Sequence, residues 1–146
     1  MRKKLIAGNW KMNGSLASVS ELALQLREQL QGFSQADVAV FPSFVHLSTV
    51  LELLKSSSIS LGAQTVSEHT QGAFTGDVDA SMLSDLGCHF VLVGHSERRA
   101  LFHEIDEVIA QKFIQAQSVG LIPVLCVGET LAEREAGQTS AVVLRQ

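Results

Sequence analysis

The chain has 146 residues, 46% apolar and 18% charged, a balance that supports one packed domain and excludes long disorder. A formal charge of −4, 5% aromatic residues and no Tyr exclude a nucleic-acid binder built on broad positive charge or on base stacking. Two cysteines, Cys88 and Cys126, are too few for a disulfide framework or a four-ligand zinc site, and they fit a reducing compartment.

The chain opens with Leu5-Ile6-Ala7, the first apolar run. Asn9 and Lys11 interrupt it, so it falls short of the ~7–15 apolar residues of a signal peptide. No run approaches the ~20 residues of a membrane-spanning helix. The expectation is a soluble, cytoplasmic protein with no membrane or nucleic-acid partner. Ser18 and Glu21 have capping-box spacing. Val19, Leu22, Ala23, Leu26 and Leu30 then recur at helical spacing, and Gly32 is the expected stop.

Further apolar runs begin at Val38, Ile59, Phe90 and Leu121. Most of the five are near-continuously apolar and β-branched, as strands buried on both faces should be. Between them, helical patterns run through Leu47, Val50, Leu51 and Leu54, then Met82, Leu83 and Leu86 ending at Gly87. Another runs from Ile105 to Ala116 and ends at Gly120. A fifth starts near Thr130, breaks at Gly137 and resumes from Thr139. Strands at roughly 30-residue spacing with helices between them predict βαβ units and a parallel sheet. Two α/β architectures fit: a doubly wound open sheet, or part of a (β/α)8 barrel. Both place ligands beyond the carboxyl ends of the strands.

Those ends carry the candidate chemistry. After the first strand come Asn9, a donor and acceptor, and Lys11, a flexible cation. The pair suits a small anionic, oxygen-rich substrate, or is only a turn with a solvated lysine. After the third strand, Gly72-Ala73-Phe74-Thr75-Gly76 tips a long polar loop. Phe74 there packs either on its own domain or on a second subunit. After the fourth strand, Gly94 precedes His95 at an expected helix start, where a neutral imidazole can donate to a carbonyl or enediolate oxygen. His46, His69, His89 and His103 read as structural, and Arg98 and Arg99 as surface or interface ion-pair partners. After the fifth strand, Cys126 reads as packing and Glu129 as a helix cap or a base. Dinucleotide, Walker A, H-E-x-x-H and G-x-S-x-G signatures are absent from the sequence, and no metal constellation stands out.

Four segments together resemble the triosephosphate isomerase family, in that family's order along the whole chain. They are Gly8-Asn9-Trp10-Lys11-Met12-Asn13, Gly72 to Gly76, Val93-Gly94-His95-Ser96-Glu97-Arg98-Arg99, and Pro123-Val124-Leu125-Cys126-Val127-Gly128-Glu129. The resemblance implies a (β/α)8 barrel, incomplete at 146 residues: one partial-barrel domain over 1–146 that ends within the fifth helix region. It also implies interconversion of dihydroxyacetone phosphate and glyceraldehyde 3-phosphate without metal or organic cofactor. His95 would be the electrophile, the acid–base role for which this family is a standard example. Lys11 would balance substrate charge, and Asn9 would hydrogen-bond the substrate. Glu97 and Cys126 would support the site. Phe74 and Thr75 would form a homodimer loop, with Thr75 reaching toward the partner's site. The family's catalytic glutamate, its lid and its phosphate-binding turns would lie beyond Gln146. A glycine is expected near the position of His103.

Overall fold

A computed structural model describes residues 3–146. Five strands form one parallel sheet in sequential order: β1 (Leu5–Asn9), β2 (Asp37–Phe41), β3 (Ile59–Ala63), β4 (Phe90–Val93) and β5 (Ile122–Leu125). The helices are α1 (Leu16–Gln29), α2 (Leu47–Leu54), α3 (Ala80–Leu86), α4 (Ser96–Leu101), α5 (Asp106–Ser118), α6 (Leu131–Glu135) and α7 (Thr139–Arg145). The sheet curls into a half-barrel with alternating helices. Simple sequential order is the barrel outcome; a doubly wound sheet reverses its strand order part-way. No helix among the described residues is long and apolar enough to cross a membrane.

Strand periodicity sorts the apolar residues onto two faces. Val38, Val40, Leu61, Val91 and Val93 face the helices and pack with Val19, Ala23, Leu47, Val50 and Leu83. Ala39, Phe41, Phe90 and Leu92 form a smaller cluster on the concave face, joined by Val124 and Cys126. There the Phe41 ring lies against Gly62 so closely that a Cβ at position 62 would sit 2.3 Å from Cε1. The glycine in β3 makes room for the aromatic in β2.

Helix α1 starts earlier than the sequence pattern predicts. Ser15, not Ser18, is the N-cap, and Ser18 completes the box in place of a glutamate. The Ser18 amide donates to Ser15 Oγ at 3.2 Å, and the Ser15 amide donates to Ser18 Oγ at 2.9 Å. The reason is burial: Val19 already belongs to the core, so the first turn must form before it. His103 adopts φ 55°. The expected glycine therefore had a physical basis, since this conformation is left-handed.

Candidate active site

The end of β1 is shaped around Lys11. Its φ of 55° is a left-handed conformation that costs a non-glycine residue on the order of 1–3 kcal/mol. Three side chains hold it there. The Lys11 amide donates to Asn9 Oδ1 at 2.9 Å, and the Lys11 carbonyl accepts from Ser43 Oγ at 2.9 Å and from Gln64 Nε2 at 2.8 Å. Gln64 Nε2 also donates to the Phe41 carbonyl at 2.8 Å. The ends of β1, β2 and β3 thus meet on the backbone of one residue. Sequence reasoning missed Ser43 and Gln64 as site residues; the signal for Gln64 was its position directly after β3.

At the end of β4, His95 caps α4, and its Nδ1 accepts from the Glu97 amide at 3.2 Å. An imidazole that accepts at Nδ1 is neutral and carries its proton on Nε2, which is left as a donor. Glu97 joins the two halves of the site. Its Oε1 accepts from Lys11 Nζ at 2.5 Å, and its Oε2 lies 3.5 Å from His95 Nδ1. The hydrogen bond from Lys11 holds the Glu97 carboxyl below its ordinary range, despite an opposing desolvation. An exposed pair of this kind adds little stability. What it does is set one ammonium and one imidazole at a common mouth.

At the end of β5, the Cys126 amide donates to the Val93 carbonyl at 2.9 Å, and its side chain packs on the concave face. Burial pushes its thiol pKa up, against the pull of the Arg99 guanidinium. Cys126 is therefore a packed thiol beneath the mouth. Glu129 does not cap α6. Thr130 is the N-cap, in a box with Glu133. The Glu129 carboxylate instead accepts from Arg134 at 2.8 Å and Thr139 at 3.2 Å. Thr130 takes the cap because its short hydroxyl reaches the Glu133 amide, at 3.3 Å.

The structure thus brings Asn9, Lys11, His95 and Glu97 together and places Phe74 and Thr75 on another loop. That loop is closed at its base by Ser67, whose amide donates to the Val78 carbonyl at 2.8 Å. Phe74 stacks on His69 of its own chain, with centroids 4.1 Å apart and planes 9° from parallel. Phe74 nevertheless stays 43% exposed. A groove of about 920 Å³ among Arg27, Phe33, Lys55 and Ser57 lies where α1 and α2 end and β3 begins, away from the carboxyl ends of the strands. No group of His, Cys, Asp and Glu side chains among the described residues could hold a metal ion.

The family model for triosephosphate isomerase matches residues 4–146. The chain belongs to the triosephosphate isomerase family. It is 56% identical over 146 residues to the triosephosphate isomerase of Thiobacillus denitrificans and 57% identical over 146 residues to that of Dechloromonas aromatica. The triosephosphate isomerase of Legionella pneumophila (strain Paris) is 50% identical over 147 residues. The whole chain is covered each time, but it spans only 58%, 58% and 59% of these relatives. Family membership selects the (β/α)8 barrel over the doubly wound alternative, in agreement with the sequential strand order.

Proposed function

We propose that these residues supply the electrophilic, charge-balancing half of a triosephosphate isomerase site within one partial-barrel unit. The reaction interconverts dihydroxyacetone phosphate and D-glyceraldehyde 3-phosphate through an enediolate, as a step of glycolysis and gluconeogenesis in the cytoplasm. The observation that carries this reading is the Glu97 amide on His95 Nδ1. It leaves Nε2–H to donate to the oxygens at which charge develops, the arrangement that lowers an enediolate barrier. Lys11 lies beside it, tied through Glu97, and balances the charge of phosphate and enediolate. Asn9 orients the substrate, and Cys126 packs beneath. The chemistry needs no metal or organic cofactor.

The reaction also needs a base, and the carboxylates that follow β4 and β5 are already engaged: Glu97 with Lys11, Glu129 with Arg134. General base catalysis contributes typically ~10²–10⁴ in rate. The 146-residue chain is therefore expected to show no turnover of glyceraldehyde 3-phosphate above a His95→Gln control. Co-expression with the C-terminal remainder of the Dechloromonas aromatica relative is expected to yield activity that His95→Gln abolishes. Turnover by the chain alone, lost in the control, would place a base within these residues and overturn the division of roles.

A homodimer accompanies this reading. Phe44, Phe74 and Met82 are exposed apolar side chains along two clefts that share Met82, one between α3 and the Phe44–Leu47 segment and one between α3 and the loop at Gly72. Phe74→Ser is expected to shift light-scattering mass toward monomer; an unchanged mass would remove the loop from the interface. A second reading, a half-barrel assembly module without chemistry, is favoured by apolar side chains exposed on β1 and β5. It predicts stable oligomers with no turnover even when the remainder is supplied.

A further inference from the structure

Arg99 is expected from sequence to be a surface or interface ion-pair residue, but its side chain is only 16% exposed. Its guanidinium makes three contacts on three segments. Nε donates to the Gly94 carbonyl at 2.8 Å, Nη1 to Asp106 Oδ1 at 2.6 Å, and Nη2 to the Cys126 carbonyl at 3.3 Å. Gly94 is the residue before His95, Asp106 opens α5, and Cys126 follows β5. Arg145 of α7 pairs with the other oxygen of Asp106.

We propose that Arg99 is a positioning residue for His95: it fixes the peptide that carries the imidazole and ties that peptide to the end of β5. The backbone before His95 fits this role. Gly94 has φ 73°, and a Cβ there would sit 2.9 Å from Arg99 Nη2 and 3.1 Å from the Cys126 carbonyl oxygen. The space a side chain would need is taken by the guanidinium and by the carbonyl it binds. The Gly94–His95 peptide carbonyl is one of the groups Arg99 grips. Rotation of that peptide would swing the His95 ring away from the Glu97 amide that sets its tautomer. A lysine offers a compact ammonium without the planar fork, so its donors do not match two carbonyls and a carboxylate spread around a guanidinium. Arg98, its sequence neighbour, instead pairs with Glu104 at 2.6 Å and serves as the contrasting residue.

This inference rests on the reading of His95 as the neutral electrophile, and one experiment separates the two. Long-range ¹H–¹⁵N spectra of the imidazoles in the 146-residue chain report which ring nitrogen carries the proton. The parent chain is expected to show His95 with a protonated Nε2 and an accepting Nδ1; the reverse pattern would overturn the electrophile reading itself. In Arg99→Lys the two His95 nitrogen signals are expected to move toward each other as tautomers interconvert, with a smaller movement of the same kind in Asp106→Asn. The Arg98→Lys spectrum is expected to match the parent at His95. A parent-like His95 pattern in a folded Arg99→Lys chain would overturn the positioning role. If Arg99→Lys does not fold, Asp106→Asn decides by the same criterion. Loss of the fold in both would overturn the proposal in favour of a purely structural clamp.

Discussion

The two halves of the candidate site sit on unlike strands. β4, which delivers His95, is buried along its whole length, with β3 on one side and β5 on the other. β1, which delivers Asn9 and Lys11, has one strand neighbour among the described residues, β2, and stands exposed over Leu5, Ile6 and Ala7. Both strands are apolar, so composition alone does not decide burial; position in the sheet does. The consequence reaches the site. His95 inherits its place from a buried central strand, whereas Lys11 relies on Asn9, Ser43 and Gln64 to hold a strained backbone.

Large-to-small substitutions test this contrast with the largest expected effect. Leu92 in β4 is 5% exposed, whereas Ile6 in β1 is 55% exposed. Leu92→Ala is expected to cost about 2–5 kcal/mol by urea denaturation, the range for a buried leucine. Ile6→Ala, losing little buried area, is expected to stay below about 1 kcal/mol. Equal losses at the two positions would mean that β1 is covered in solution, and the contrast between edge and centre would fail.

Acid titration addresses the contacts that tie β4 to its neighbours. The hydrogen bond from Arg99, with Arg145 adding to it, holds the Asp106 carboxyl below its ordinary range, only partly opposed by desolvation. The folded chain then binds fewer protons than the unfolded chain between the folded value and the ordinary one of about 3.9. Asp106 therefore contributes stability that is fully present above about pH 4 and is lost as pH falls through the folded value. Denaturation midpoints are expected to fall with acidity in that window, and less steeply in Asp106→Asn. Parallel curves for the two proteins would show that the ion pair does not distinguish folded from unfolded chain.

Much of this was legible in the sequence. All five strands, and most helices, follow from apolar runs and 3.6-residue periodicity, because burial between layers demands those patterns. Lys11 and His95 stand out in the sequence by their strand-end positions and Glu97 only through the family resemblance; in the structure Glu97 contacts both. Other features lie in through-space relations that no local pattern encodes. Ser43 and Gln64 matter because they reach the Lys11 carbonyl from other segments. Arg99 reads as a surface residue in the sequence because an Arg-Arg pair carries no mark of which guanidinium turns inward. Ser18 offers the more familiar glutamate spacing, whereas the fold caps the helix at Ser15 and makes Val19 helical.

The smallest effect compares the two strained residues that follow these strands. Lys11, past β1, and His103, past β4 and α4, share φ 55°, but only at Lys11 is the strained residue itself part of the proposed chemistry. A left-handed L-residue costs about 1–2 kcal/mol, and a glycine returns roughly 0.5–1 kcal/mol of that as chain entropy lost on folding. His103→Gly is accordingly expected to raise stability by up to about 1 kcal/mol, a few degrees in Tm for a domain of this size. It should leave complemented activity unchanged. Lys11→Gly relieves the same strain and gives up only an exposed ion pair with Glu97, which is worth little. Its stability is expected to rise or hold while complemented activity collapses. A fall in Tm for His103→Gly would show that the histidine side chain makes up for its own strain. A stability loss in Lys11→Gly as large as that of Leu92→Ala would show that the hydrogen bonds around Lys11 anchor the edge strand as well as the ammonium.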